Sequence, residues 1–229
     1  VCRSCEARHK GICGALSPEH LKYVAQHSTR HTYARGSAVA DASDDTQRCG
    51  NVLSGVIKLS KLLADGRQQI VGLQFAPDFV GRPFKQQTDV SAEAATPVRV
   101  CAFPRRVIDE IIRQSPEMEH RLYEQSLREL DEAREWMVTL GRKTAQERVA
   151  SFLLLVATYL DPEAEDEEPA PVSFDLPLTR ADIADFLSLT IETTSRQLTR
   201  LRHDGVIDIA HNRTVTVPDI ERLRDRAGD

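Results

Sequence analysis

Three of the five cysteines in this 229-residue chain lie within its first thirteen positions. Cys2, Cys5 and Cys13 have the spacing C-x2-C-x7-C, whereas Cys49 and Cys101 stand alone. The residues among the first cysteines are charged and do not form the apolar segment of a signal peptide, so a cytoplasmic protein is predicted. Thiols are kept reduced in that compartment. This disfavours a disulfide framework and favours metal binding or redox chemistry.

The N-terminal spacing alone is compatible with more than one thiol chemistry. Cys2, Cys5, His9 and Cys13 form C-x2-C-x3-H-x3-C, which is compatible with a closed tetrahedral zinc site. A redox-active C-x-x-C enzyme would require a βαβ context that this sequence lacks. Free cysteines are also often simply buried apolar residues, and this is the preferred interpretation of Cys49.

Composition is that of an ordinary globular protein whose length suggests two domains. Hydrophobic residues make up 41% of the chain and charged residues 28%. No apolar run approaches the roughly 20 residues of a membrane helix, so no membrane partner is predicted. The formal net charge of −5 does not indicate nucleic-acid binding, but a local basic face can matter more than the total.

A β-rich region is predicted from about residue 28 to residue 104. A short helix precedes it, with Ser17 as its N-cap and Pro18 at its first helical position. Apolar residues alternate from Ile57 onward, Asp65-Gly66 forms a hairpin turn, and a second apolar strand follows. Several short antiparallel strands at this spacing predict a small roll or sandwich.

The apolar period becomes helical after the β region, and a long charged helix is predicted from Pro116 to about Gly141. Four of its residues have the 3, 4, 3 spacing of a coiled-coil seam: Leu130, Ala133, Met137 and Leu140. From periodicity alone, this seam either joins two chains or packs on the chain's own β-roll. A further amphipathic helix and an acidic surface loop follow.

Residues 178–217 have the pattern of a helix-turn-helix with a wing. Thr179 and Asp182 are spaced as a capping box for the first helix. The second helix is predicted from Ile191 to Asp204, with Thr194, Leu198 and Leu201 on its inward side, and Gly205 ends it in the left-handed conformation. The hairpin sequence VIDIAHNRTVTV after it resembles a wing.

Three residues of this second helix project from one side of its N-terminal turns: Glu192, Ser195 and Arg196. Arginine presents two donors to guanine, glutamate accepts from the cytosine amino group, and serine contacts a base or a phosphate. Four further residues lie nearby for phosphates: Arg200, Arg202, His203 and Arg213. Taken alone, Glu192 and Arg196 could be an ordinary i,i+4 surface pair. Within a capped helix-turn-helix, DNA reading is favoured.

The order β-roll, long helix and winged helix-turn-helix with E-x-x-S-R resembles the CRP/FNR family of bacterial transcription regulators over nearly the whole chain. The resemblance implies an α+β fold with an N-terminal antiparallel β-roll of the cyclic-nucleotide-binding type, a long dimerisation helix and a C-terminal winged helix-turn-helix. The corresponding regions are a cysteine-rich arm (1–14), a β-roll (15–114), a dimerisation helix (115–141) and a DNA-binding domain (142–229).

The resemblance also implies partners. The protein would be a homodimer joined along the seam of the long helix, and it would bind a palindromic site in double-stranded DNA. Family members with E-x-x-S-R prefer half-sites resembling TTGAT, which would match Arg196 with guanine and Glu192 with the opposing cytosine. The hairpin turn from Ala64 to Gln69 would contact RNA polymerase, as the corresponding loop does in relatives. No enzymatic activity is expected.

The signal that the roll senses follows from its departures from the family pattern. Cyclic-nucleotide binders carry Gly-Glu where this chain has Gly81-Arg82-Pro83, and they carry a later Arg-Ser that this chain lacks, so no cyclic nucleotide is expected. The N-terminal cysteines together with Cys101 resemble the oxygen-sensing FNR branch, including its FnrN- and FnrL-like members. In that branch four thiolates hold a [4Fe-4S] cluster, which implies Cys2, Cys5, Cys13 and Cys101 as ligands.

The cluster would form without oxygen, favour the dimer and permit DNA binding. The alternative is a constitutive DNA-binding regulator of the same family with a structural zinc site or no metal.

Overall fold

The structure is a computed structural model that describes residues 5, 11–40, 48–82, 89–160 and 171–228. The chain divides into two compact units, Val1–Asp131 and Glu132–Asp229, and the division falls inside the long helix. Two candidate ligands, Cys2 and His9, lie outside the described residues, as does Pro83. None of the helices in the described ranges combines the length and the apolar character needed to cross a membrane.

In the first unit, a short 3₁₀ turn and a helix precede the strands, and two helices follow them. The 3₁₀ turn is Ile12–Ala15 and the first helix is α1 (Pro18–His27). The strands are β1 (Thr29–Tyr33), β2 (Ala38–Ala40), β3 (Arg48–Ser54), β4 (Ile57–Leu62), β5 (Gln68–Gln74), β6 (Phe79–Val80), β7 (Ser91–Ala94) and β8 (Val98–Pro104). The helices after them are α2 (Arg105–Gln114) and α3 (Pro116–Arg142).

These strands form two antiparallel sheets, with the orders β1-β8-β3-β6 and β2-β7-β4-β5. The predicted β-roll is confirmed, since β1 begins at Thr29 and β8 ends at Pro104. The N-cap prediction is also correct: Ser17 Oγ accepts from the His20 backbone N–H at 3.2 Å. At the predicted hairpin turn, Gly66 has a φ of +85°, a conformation that glycine adopts without strain.

The sheet β1-β8-β3-β6 is covered on both faces. Because side chains alternate along a strand, one face carries Val52 and Val100, which pack in an apolar cluster with residues of the other sheet. The opposite face carries Cys49 and Phe103, which pack in a second cluster with α1, α2 and the 3₁₀ turn. We call this second side the helix-covered face. Cys101 also packs against its cluster.

The second unit contains the end of α3 and a smaller α+β arrangement. Its helices are α4 (Ala145–Leu160), α5 (Arg180–Leu187), α6 (Ile191–His203) and α7 (Ile220–Ala227), and its strands are β9 (Val172–Asp175), β10 (Asp208–Ala210) and β11 (Thr214–Val217). The strands are antiparallel in the order β10-β11-β9. The core consists of fully buried side chains from several of these elements, among them Phe152, Leu153, Ile183, Leu187 and Leu198.

The helix-turn-helix prediction is confirmed by its capping contacts. Thr179 Oγ1 accepts from the Asp182 N–H at 3.0 Å, and Asp182 Oδ2 accepts from the Thr179 N–H at 3.1 Å, which forms the predicted capping box. Ser188 ends α5 in the left-handed region with a φ of 53°. Thr190 then caps α6, and Gly205 follows α6 with a φ of +67°.

Candidate nucleic-acid interface and candidate metal centre

Helix α6 is amphipathic, and its buried side fixes which residues face outward. Thr194, Leu198 and Leu201 are almost fully buried, as predicted. Glu192 and Arg196 are exposed on the other side, and Ser195 between them is half-buried. The rigid packing of the inward residues therefore presents a polar surface at the N-terminal end of the helix. Its carboxylate, hydroxyl and guanidinium groups are types that can bind base edges in a DNA major groove.

The carboxylate of Glu192 is held in its charged form. Its own backbone N–H hydrogen bonds to it and lowers its pKa, and the Thr190 hydroxyl and the positive charge of Arg196 act in the same direction. The Arg196 guanidinium donates to Thr193 Oγ1 at 3.1 Å. No Glu192–Arg196 ion pair is found among the described contacts. Both side chains thus retain groups that can bind a base edge.

The candidate phosphate contacts differ in their surroundings. Arg200, Arg202 and His203 are exposed near the C-terminal end of α6. Arg213 lies on the wing, where its Nε is 3.5 Å from Asp175 Oδ2. A neighbouring carboxylate offsets part of the positive charge of Arg213, so its attraction to a phosphate is weaker than that of an unpaired arginine.

Two exposed or polar residues at this surface were not singled out from the sequence. Arg180, at the start of α5, is half-buried, and its Nη2 donates to the carbonyl oxygen of Asn212 on the wing at 3.4 Å. Burial lowers the pKa of Arg180. Ile191, the first residue of α6, is 49% exposed beside Glu192. A sequence signal could have identified both residues, because each directly follows a threonine N-cap.

The predicted seam of α3 is largely accessible in the single chain. Met137 is 74% exposed and Leu130 44% exposed, Ala133 is exposed, and Leu140 is half-buried. Two further exposed residues extend the apolar surface toward the start of the helix at spacings of 4 and 3: Tyr123 and Leu127.

Trp136 lies between two seam residues in the sequence but packs elsewhere. Its ring packs on Phe186 of α5 with ring centroids 4.5 Å apart. Helix α3 therefore uses one side for the core of the second unit and leaves the seam side accessible.

Cys13 is positioned by the 3₁₀ turn Ile12–Ala15. Ile12 is 1% exposed and belongs to the cluster on the helix-covered face, so it anchors the turn against the sheet. Cys13 follows it directly and is half-buried at the edge of the same cluster. Cys5 is also half-buried.

Asn51, in the middle of β3, lies next to two of the predicted ligands. Its Nδ2 donates to the sulfur of Cys13, with 3.2 Å between the two atoms. In the sheet register Asn51 lies directly opposite Cys101. The helix-covered face therefore brings Cys13 and Cys101 to the same residue. Among the described residues, no three histidine, cysteine or acidic side chains are gathered closely enough to hold a metal ion, and Cys2 lies outside that set.

Cys49 is buried on the helix-covered face, as its interpretation as an apolar residue predicted. It is 3% exposed, and burial, followed by the negative charge of Asp109, raises the pKa of its thiol to about 12. A Cβ at Gly81 would lie 3.0 Å from the sulfur of Cys49, so the backbone also encloses the thiol. A thiol in these surroundings stays protonated at neutral pH and is a poor metal ligand.

Comparisons with known proteins match both units. Residues 30–115 match the model of the cyclic nucleotide-binding domain, and residues 147–226 match the model of the Crp-like helix-turn-helix domain. A probable transcriptional activator from Rhizobium leguminosarum bv. viciae is 52% identical over 223 residues, which cover 97% of this chain and 91% of that protein.

Two further relatives extend this similarity. The transcriptional activator protein FnrL from Cereibacter sphaeroides is 40% identical over 228 residues, which cover 100% of this chain and 92% of that protein. The structure of FixK2 from Bradyrhizobium japonicum superposes with a TM-score of 0.75 at 28% identity, over 87% of this chain and 96% of that one. The similarity therefore includes the order of the β-roll and the helix-turn-helix.

Proposed function

This chain belongs to the CRP/FNR family of DNA-binding transcription regulators, and on that premise we propose that it is an oxygen-responsive member that holds a [4Fe-4S] cluster. Family membership makes it a DNA-binding transcription regulator and not an enzyme. The observation that carries the finer proposal is the arrangement of Cys13 and Cys101 on either side of Asn51 on the helix-covered face.

The cysteines of this face fit an iron–sulfur cluster by their chemistry. Cys13 and Cys101 are partly accessible, whereas the remaining strand cysteine, Cys49, is enclosed and protonated. Cys2 and Cys5 would supply the other two thiolates from the arm. A bound cluster would supply an oxygen-labile centre whose presence ties the arm to the sheet. The chain's own contribution is to anchor the arm through Ile12 and to present Cys101 on a central strand.

The proposed DNA contacts follow from the outward side of α6. Arg196 would donate to the guanine of a TTGAT-type half-site, and Glu192 would accept from the opposing cytosine. Ile191 adds an exposed aliphatic group that suits a thymine methyl group. The four basic residues near them would contact phosphates, with Arg213 contributing least because Asp175 lies beside it.

The proposed protein partners rest on exposed surfaces. Two copies of the chain would pair along the accessible seam of α3, so that each presents one α6 to half of a palindrome. The turn between β4 and β5 would contact RNA polymerase, and Leu62 beside it is 74% exposed. The roll would not bind a cyclic nucleotide, because Gly81 is followed by Arg82 and not by the glutamate of such sites. The protein would act in the cytoplasm.

Anaerobic purification of the full-length protein tests the proposal. We expect a broad visible absorption from thiolate-to-iron charge transfer, about four irons per chain, and tight binding to a palindromic TTGAT duplex that is lost after exposure to air. A colourless protein that contains zinc and binds the duplex equally with and without oxygen would instead support the constitutive alternative.

A further inference from the structure

We propose that Asn51 is a positioning residue of the thiol site: its side-chain amide donates a hydrogen bond to the sulfur of Cys13 and, through that bond, holds Cys13 beside Cys101. This inference deepens the proposed function and rests on it, because it concerns the ligands of the proposed cluster. Asn51 itself would not bind iron.

Asn51 is an unusual residue for its place in the fold. Strand β3 lies inside its sheet, between β8 and β6, and Asn51 is 2% exposed there. Cys49 and Val52, near it on the same strand, are buried apolar residues. An amide that leaves water for such a place is unfavourable unless its polar atoms find partners. A polar residue at this position therefore indicates a specific contact.

That contact is the sulfur of Cys13. The distance of 3.2 Å from Nδ2 to Sγ is within the range of N–H···O bonds, although sulfur is the larger acceptor. An amide N–H can only donate, and a thiolate can only accept, so the pair is chemically matched. The opposite amide orientation would place a carbonyl oxygen against the sulfur and would repel a thiolate.

The carbonyl oxygen at the other end of the Asn51 amide also bears on how the amide is oriented. Oδ1 of Asn51 is buried and has no hydrogen-bond partner within the part of the chain that the structure describes. The amide is therefore oriented by its contact with Cys13 and not by a competing contact of its carbonyl oxygen.

The sheet register places the same amide beside the second proposed ligand. Asn51 and Cys101 are directly opposite each other, and side chains of such pairs share a face with Cβ atoms about 4.5–5.5 Å apart. The neighbouring Gly50 permits this approach, because a Cβ there would lie 2.7 Å from the carbonyl oxygen of Cys101. Asn51 thus lies between a ligand on its own sheet and a ligand on the arm that covers the sheet.

A donor at this position has a defined effect on a metal-bound thiolate. The N–H group withdraws charge from the sulfur and fixes the direction of its lone pairs, and loss of such outer partners typically lowers metal affinity by about 10- to 100-fold. Hydrogen bonds to ligand sulfurs also tune the electronic properties of iron–sulfur clusters. Asn51 is therefore expected to change both how firmly iron is held and the vibrational spectrum of the Fe–S bonds.

The test compares Asn51→Leu and Asn51→Asp with the wild type in the anaerobically loaded full-length protein. Asn51→Leu replaces the amide with an apolar group of similar size, and Asn51→Asp keeps the shape but removes the N–H donor. The matched control is Gln74→Leu, because Gln74 is a half-buried amide of the same roll that donates to the backbone oxygen of Phe79 and not to a thiol.

Two quantities are measured: the rate of iron transfer to excess chelator under nitrogen, and the Fe–S(Cys) stretching frequencies by resonance Raman spectroscopy. We expect both Asn51 variants to lose iron about 10-fold faster than the wild type and to shift a terminal Fe–S stretch to higher frequency. Gln74→Leu should match the wild type in both. Thermal melting of the metal-free proteins identifies a variant that fails to fold, in which case Asn51→Asp, the isosteric change, decides the test.

The outcomes separate this inference from the proposed function. A wild type that takes up no iron refutes the cluster, and with it the role of Asn51. A wild type that loads iron, with Asn51 variants that retain it equally well, refutes the present inference alone. Faster iron loss with an unchanged Fe–S stretch would also overturn it, because Asn51 would then only fasten the arm to the sheet and not donate to the ligand.

Discussion

The proposed DNA-reading side chains of the second unit occupy one stretch of a single helix, Glu192 to Arg196, whereas the thiols of the first unit come from an N-terminal turn and a distant strand. In α6 the helical repeat sets the spacing of the readers, and the capped ends of α5 and α6 fix both helices locally. In the thiol site, Cys13 and Cys101 become neighbours through the pairing of β3 with β8 and the packing of Ile12.

This difference bears on how each region can respond to a signal. Capping hydrogen bonds and a core of buried side chains stabilise the helix-turn-helix. Its fold therefore does not depend on a bound metal or cofactor. In the described part of the thiol site, Ile12 packs in the cluster of the helix-covered face and Asn51 donates to the sulfur of Cys13, but no three candidate ligand side chains are gathered there. A metal bound by the proposed ligands would add a further link between the arm and the sheet, and its loss would remove that link.

The largest expected effect is at the distant ligand. Cys101→Ala should abolish iron loading, because the arm alone offers three thiolates and the fourth has no replacement on the helix-covered face. Iron content and visible absorption after anaerobic reconstitution measure this. The control is Cys49→Ala, which removes the neighbouring thiol but should load normally because that thiol is protonated and enclosed.

The reverse pattern would place the site entirely within the arm. If Cys101→Ala retains its metal while His9→Ala loses it, the metal is held by the N-terminal segment alone, as in the zinc alternative. The metal site would then come from one short stretch of sequence, like the proposed DNA-contacting residues of α6.

The second prediction concerns the reader. Arg196→Ala should weaken binding by about 1–3 kcal/mol per half-site and relax the preference at the guanine, because a bidentate contact to one base is lost. Arg213→Ala, on the wing, should weaken binding to all sequences alike and by less, since Asp175 already offsets part of its charge. Binding isotherms on specific and random duplexes at one salt concentration compare the two. Equal losses on both duplexes for Arg196→Ala would make it a backbone contact.

The third prediction concerns the element between the two regions. Ala133→Asp should raise the dimer dissociation constant by about 10-fold or more, because two carboxylates would meet in an apolar seam. The control is Arg128→Asp, which adds negative charge to the same helix at an exposed position off the seam. Sedimentation of both variants and the wild type, with and without cluster, gives the dissociation constants.

An air-exposed wild type that stays as dimeric as the loaded protein would show that oxygen does not act through assembly. The signal would then have to change the orientation of the α6 helices within a permanent dimer.

The smallest expected effect concerns pH: the preference of Glu192 for cytosine should not change with pH near neutrality. Hydrogen bonding from its own backbone N–H and from Thr190 lowers the pKa of Glu192, so its carboxylate loses its charge only when the pH falls below the ordinary range of glutamate. The preference for cytosine should therefore be constant from about pH 8 to about pH 6. The ratio of affinities for duplexes with and without that cytosine measures it, and Glu192→Gln is the control. A ratio that already declines in this range would show that the carboxylate is not held as the structure indicates.

Much of the fold could be predicted from local sequence. The N-cap at Ser17, the turn at Gly66, the capping box at Thr179 and the end of α6 at Gly205 are all as expected, because each depends on the chemistry of a few adjacent residues. The buried residues of α6 were also predicted correctly, because helical periodicity alone selects them.

Other features were missed because they depend on contacts between distant segments. Nothing in the sequence around Asn51 indicates that it lies opposite Cys101 or that its amide contacts Cys13. The pairing of Arg213 with Asp175 likewise joins the wing to a strand that precedes the helix-turn-helix. Register in a sheet is set by the packing of whole strands, which a local pattern does not specify.

The sequence by itself therefore determined the order of the elements, the outward face of α6 and the residue types available for a thiol site, since composition and short-range periodicity are properties of the chain alone. Only the tertiary structure decided which cysteines share a face, which thiol is enclosed and that a buried amide lies between two proposed ligands. The physical reason is that burial and cross-strand neighbours exist only after distant segments pack, and these set the reactivity of a thiol and the hydrogen bonds available to it.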